Sequence, residues 1–348
     1  MSDDAAPAAP LLLLPTTGIG SLPHTQLELA LQLALRVGIP YLPQLPMKDP
    51  AELMLLQALE GLPGLRFDRE GAVTVQLAEW ERRAADFEDE LEQALATGAV
   101  AAFEPSAAFA SAWRPFLWEI ESRRLPVAKV QHAGPITARW ALELDDGRPA
   151  SAVPRLGQQI YRLGLVRTIA MARALRDRGA TPIVFLDEPA LGLLDPDKDS
   201  SHRLQLEELR LLIAALRGEG ALVGIHCCGT ASWPLVLELG ADILSFDTAL
   251  SLSALAACAE ALERFEGRGG LLALGLVPTD GRELDLETLA DGLVATLRSA
   301  GKAGERLLER ALLTPACGLA LRSVAQCERV FDDLESVRQI LRARLTRA

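Results

Sequence analysis

Apolar residues in this chain fall into short unbroken runs separated by longer segments that repeat every three to four residues. The runs cover 11–15, 39–42, 127–131, 183–186, 222–225, 243–246, 271–276 and 312–314. Nearly continuous in apolar character, they fit strands covered on both faces. The segments 155–178, 204–217, 251–265, 284–300 and 323–345 carry apolar positions at helical spacing. Eight such runs alternating with helices predict an α/β fold, a single (β/α)8 TIM barrel over 11–348. The connection after the second strand is long. Residues 66–75 read as a hairpin turning around Asp68 to Gly71, and 77–95 as a charged helix. We take about 62–122 as an insertion on the barrel rather than a separate domain.

Functional groups of such barrels cluster at the C-terminal ends of the strands. The distinctive residues fall there: Gly20 and Ser21 after the first strand, His132 after the third, Asp187 and Glu188 after the fourth, His226 to Cys228 after the fifth, Asp247 after the sixth and Cys317 after the eighth. Side chains alternate along a strand, so His226 and Cys228 point one way and Cys227 the other. A histidine and thiols at strand ends suit a soft metal, and zinc is the natural ion. The competing reading makes His226 a hydrogen-bonded core residue and the cysteines small buried hydrophobes. Cys258 and Cys327 lie within helical patterns and read as packing residues.

Composition narrows the setting. With 348 residues, 49% of them hydrophobic, the chain can bury a large core. No apolar stretch reaches the length of a membrane span, because Pro15 cuts off the run at 11–14. Residues 1–10 are acidic and Ala/Pro-rich without the basic start of a signal peptide, and read as a disordered tail. Five cysteines, two of them adjacent, make a poor disulfide framework and favour a reducing cytoplasm. A net charge of −12 argues against nucleic acid as a partner.

Taken together, the separated motifs resemble the catalytic C-terminal barrel of the cobalamin-independent methionine synthase family, within the superfamily that includes uroporphyrinogen decarboxylase. The resemblance runs roughly over 17–326. It rests on Gly18-Ile19-Gly20-Ser21-Leu22-Pro23-His24-Thr25, Gly134-Pro135-Ile136-Thr137, Phe185-Leu186-Asp187-Glu188-Pro189-Ala190-Leu191, His226-x-Cys228 and Pro315-Ala316-Cys317-Gly318-Leu319, in that order. In that family zinc binds two cysteines, a histidine and a glutamate, and homocysteine joins the metal through its thiol. The resemblance implies His226, Cys228 and Cys317 as ligands. Asp247 stands where the family has its glutamate, one methylene shorter, with helix capping as its other role. It also implies that Ile19, Gly20 and Ser21 grip the amino-acid carboxylate and that Asp187 pairs with the ammonium group, with Glu188 beside it on the substrate side. Zinc would hold the substrate sulfur as a thiolate at neutral pH.

Two further departures bear on the methyl donor. The family has a histidine after the seventh strand that can protonate the leaving nitrogen of methylfolate; here 274–280 holds none. Full-size members join two barrels, whereas this chain fits one and is more similar to shorter single-barrel relatives. Both points favour methylcobalamin, free or on a corrinoid protein, over folate. Trp140 lies one residue off the family's pterin-stacking tryptophan, and His24 and His132 are expected at the same barrel mouth. The expectation is therefore a zinc-dependent methyltransferase acting on a small thiol, homocysteine, to give methionine. The alternatives are a zinc-free enzyme of the uroporphyrinogen decarboxylase type, which needs a basic pocket, and a non-catalytic zinc- or corrinoid-binding accessory protein.

Overall fold

The computed structural model describes residues 13–68 and 71–346. The expected tail at 1–10 lies outside the described residues, as do the first two residues of the run at 11–15. The central element is a six-stranded parallel sheet. Two small strands precede it, β1 (Leu65–Phe67) and β2 (Val73–Val75). Its own strands are β3 (Val127–Ala133), then, after a two-residue strand β4 (Glu143–Leu144), β5 (Thr181–Asp187), β6 (Leu222–Cys227), β7 (Ile243–Asp247), β8 (Leu271–Val277) and β9 (Leu312–Pro315). Their order is β3-β5-β6-β7-β8-β9, all neighbours parallel. Helices connect successive strands, as parallel pairing requires.

Residues 13–15 and the run at 39–42 differ from expectation: neither forms a strand. Isolated parallel bridges instead tie Thr16 to Leu313 of β9 and Tyr41 to Lys129 of β3, at the two edges of the sheet. Ile39 N–H also donates to Thr16 O at 2.8 Å. These segments are short, and Pro15 and Pro40 each remove a donor from the ladder.

Alternation along the strands gives the sheet two faces. On the concave face Ile183, Phe185, Ile243, Ala273 and Leu312 pack with Ile39 in a small cluster. The intervening Val184, Leu186, Val223, Ile225, Leu244, Phe246, Leu272, Leu274 and Leu313 join the large core beneath the helices. The concave layer lies toward the strand starts, so the polar residues further along face open space above it.

The hairpin β1–β2 is present, antiparallel, with residues 69–70 of its turn outside the described residues. The charged helix after it runs Leu77–Thr97. A feature absent from the sequence reading is β4, which adds in parallel to β2 and fastens this region to the chain after β3. The helical segment expected at 251–265 is two helices, Thr248–Ala256 and Ala259–Gly267, broken at Cys258, and an extra helix, Gly301–Glu309, precedes β9. No helix among the described residues is long and apolar enough to cross a membrane.

Candidate metal centre

β6 ends on His226 and Cys227, and Cys228 follows it; β9 ends at Pro315, two residues before Cys317. These strand ends bring one nitrogen of His226 and the sulfurs of Cys228 and Cys317 within 4.8 Å of one another. His226 is buried, and its Nδ1 is bonded to Ser245 Oγ at 3.0 Å, across the register pair that joins β6 to β7. Its Nε2 is buried with no hydrogen-bond partner. A buried polar atom left without a partner is costly. Here it sits beside two thiols, and a hydrogen bond at the opposite nitrogen is how ligating imidazoles are oriented. The donor set, one imidazole and two thiols, fits zinc.

The two thiols influence each other strongly. Cys317 is held well below the usual thiol range by the neighbouring Cys228 thiol and the His226 imidazole, while Cys228 is pushed up by Cys317 and by burial. The pair therefore favours one thiolate over two thiols. Cys227, on the other face, is fully buried in the main core, its Sγ 3.8 Å from Gly229 O. The division of roles between Cys227 and Cys228 follows from alternation alone.

The donors line a cavity of about 390 Å³, together with Ile19, Ser21, Asp187, Thr279 and Arg322. Ser21 pairs with Gln44, and its carbonyl accepts from Leu319 N at 2.9 Å, which ties the first loop to the loop carrying Cys317. Asp187, the last residue of β5, is paired in register with His226; it is 4% exposed and its Oδ1 has no partner. Burial pushes its carboxyl up to about 6, against the pull of His226 and Lys129. Such a carboxylate on a cavity wall is ready for a cationic group of a ligand. Gly20 is set behind the lining, where a Cβ would come 2.8 Å from the Gln131 side chain.

Glu188 does something other than the expected substrate contact. It is fully buried and outside the cavity lining. Its Oε1 accepts from Ile136 N at 3.0 Å, and its Oε2 from Thr137 N and Thr137 Oγ1 at 2.7 and 2.6 Å. Those groups are the first turn of the helix Pro135–Ala141, so the carboxylate satisfies N–H groups that the helix cannot. Gly134 is required for this approach, because a Cβ there would lie 2.1 Å from Glu188 Oε1. The Gly-Pro-Ile-Thr and Asp-Glu-Pro-Ala motifs are thus two halves of one clasp.

Asp247 ends β7 and its Oδ1 accepts from Ala249 N at 2.8 Å, capping the helix Thr248–Ala256. Its carboxylate is near enough to feel Cys317 and Arg282, yet it lies outside the group of three donors. His132 is not at the mouth: it is on the helix-covered face of β3, with Nδ1 2.7 Å from Ala133 O and the ring against Gly164. Burial and the nearby Arg167 push it down to about 3, so it stays neutral. His24 is buried near Glu328 and does not line the cavity, and Trp140 packs against His202 on a separate groove. All four histidines of the chain are described, and only His226 lines the cavity.

Four residues escaped the sequence reading. Ser245 is marked only by its register with His226. Lys129 and Gln131 stand at alternate positions of β3, a lysine in an otherwise apolar run being the available signal. Arg322 follows the Cys317 motif and makes no ion pair among the described residues.

No protein-family model matches this chain, and a search of curated proteins found no match.

Proposed function

We propose that the chain is a zinc-dependent methyltransferase of the cobalamin-independent methionine synthase type, acting on a small amino-acid thiol, homocysteine, and built on a closed eight-stranded barrel completed by segments 16–22 and 39–44. The observation that carries this reading is the orphaned Nε2 of His226 facing Cys228 and Cys317 in a cavity. Zinc held by these three residues would keep a substrate thiol ionised at neutral pH. Three protein donors are what catalytic zinc sites use, leaving a position for substrate.

The cavity suits an amino acid. Asp187 offers an unpartnered carboxylate to the ammonium group, and Arg322 with the Ile19–Ser21 backbone serves the carboxylate. One cation against thiols and an acid is a poor pocket for a polycarboxylate, which speaks against the decarboxylase alternative.

The donor we propose is a corrinoid. A methylfolate nitrogen leaves only when protonated, and in this reading the carboxyl on the cavity wall, Asp187, is committed to the ammonium group of the amino acid. Asp280 is exposed and paired with Arg282 at 2.7 Å, which lowers its carboxyl further. Thr279 is the residue of that loop on the cavity wall near the donors. Methyl transfer from methylcobalamin forms the S–C bond as the Co–C bond breaks, its electron pair staying on cobalt, and no proton is needed.

The test is to incubate zinc-loaded protein with homocysteine and either methylcobalamin or methyltetrahydrofolate and assay methionine. Faster turnover with methylcobalamin is expected. Equal or faster turnover with the folate overturns the donor assignment, and methionine from neither overturns the enzyme reading in favour of an accessory protein.

A further inference from the structure

A lysine is buried under the candidate site. Lys129 is 1% exposed at the third position of β3, on the concave face, its Nζ 4.6 Å from the centroid of the Phe185 ring. It donates to Ile19 O at 2.7 Å and to Gln131 Oε1 at 3.0 Å. Gln131 in turn donates to Leu42 O at 2.6 Å. Burial pushes the Lys129 ammonium down to about 7, with Asp187 pulling the other way. Packing alone does not call for a lysine here. A buried ammonium carries a desolvation cost that an apolar side chain of similar size would not.

What the lysine holds is informative. Ile19 opens the loop whose Ile19 and Ser21 side chains line the cavity. That loop's only strand-like pairing among the described residues is the single bridge of Ser21 to Gln44, in which Gln44 N donates to Gly20 O at 3.1 Å and Leu22 N to Gln44 O at 2.9 Å, leaving Ile19 O to a side chain. Below it there is one charged donor, Lys129, and one side chain, Gln131, against Gly20. Above it the Ser21 carbonyl meets Leu319 N. We propose that Lys129 is a positioning residue for ligand binding: its hydrogen bond to Ile19 O, with Gln131 beside it, fixes the Ile19–Ser21 backbone at the height where it meets a bound amino acid. The effect on substrate rests on the function proposed above, whereas the effect on the loop does not. A charge-assisted hydrogen bond to a carbonyl is among the stronger ones available for such a task.

The experiment compares the full-length protein with Lys129→Met and Lys129→Gln. Three readouts are taken: zinc content, thermal midpoint, and hydrogen exchange of the amides at 17–22. A fourth, the dissociation constant of homocysteine, comes from calorimetry. Lys129→Met leaves two buried acceptors without this donor, so it should retain zinc and a cooperative melt with a modestly lowered midpoint, yet show at least tenfold faster exchange confined to 17–22 and at least tenfold weaker homocysteine binding. Lys129→Gln, which keeps a neutral donor, should recover part of both. Unchanged exchange at 17–22 in both variants overturns the proposal, as does a loss of thermal stability that accounts for the weaker binding, with faster exchange spread across the whole chain. If homocysteine fails to bind the parent protein while Lys129→Met still loosens 17–22, the functional reading fails and the positioning role stands.

Discussion

The two faces of the parallel sheet hold the same kinds of residue and put them to different uses. On the concave face, His226 and Cys228 converge with Cys317 around an unsatisfied imidazole nitrogen. On the helix-covered face, His132 of β3 and Cys227 of β6 are both buried in packing and away from the cavity. Residue type therefore says little without parity. One step along β6 converts a ligand into a core residue, because side chains alternate with a period of two.

Changes on the concave face should act on metal, and changes on the covered face should act on stability. The largest effect is expected for Cys228→Ser with Cys317→Ser. Removing both sulfur donors should abolish zinc retention in metal analysis of the purified protein, with the fold kept by circular dichroism. Full zinc retention would mean that the metal binds elsewhere.

A sizeable effect is expected on the covered face from Glu188. Burial raises its carboxyl from 4.5 to about 7. Between these values the folded protein binds the proton that the unfolded chain has lost, so this group's contribution falls as pH rises through that window. The parent should lose up to about 3 kcal/mol of stability between pH 4.5 and 7 that Glu188→Gln does not lose. Denaturant melts at the two ends of the window measure it, and equal pH slopes would show that the clasp stays ionised throughout.

Cys227→Ser sharpens the comparison from within the same tripeptide. It places a hydroxyl in the main core, at a cost of about 1–3 kcal/mol, and should leave zinc at one ion per chain. Loss of zinc would contradict the parity argument. The smallest effect is expected for Asp247→Ala, where losing the cap should cost about 1 kcal/mol with zinc affinity unchanged; a tenfold drop in that affinity would make Asp247 a fourth ligand.

Parity also explains what the sequence made legible. The six strands of the sheet are dense apolar runs, and their cores were visible to within a few residues. So was the pairing of His226 with Cys228, since both directly follow the run at 222–225. The apolar character of 11–15 and 39–42 predicts strands, but with Pro15 and Pro40 in short segments the described residues there make only the bridges at Thr16 and Tyr41. The role of Glu188 was hidden because its partners, Ile136 and Thr137, are about fifty residues away in sequence. Lys129 escaped notice for a different reason. A lone lysine in an apolar strand counts as noise in a hydropathy pattern, and only the carbonyl of Ile19, brought over by the fold, gives it meaning. His132 misled in the opposite direction, as a strand-end histidine on the wrong face.

The central claim is that His226, Cys228 and Cys317 hold a zinc ion that takes a substrate thiol. X-ray absorption at the zinc edge tests it directly, on the zinc-loaded protein with and without homocysteine. Two sulfur neighbours and at least one nitrogen are expected without the thiol, and three sulfurs with it. A sulfur count that stays at two with saturating homocysteine, or a zinc shell made of oxygen and nitrogen alone, would contradict the claim.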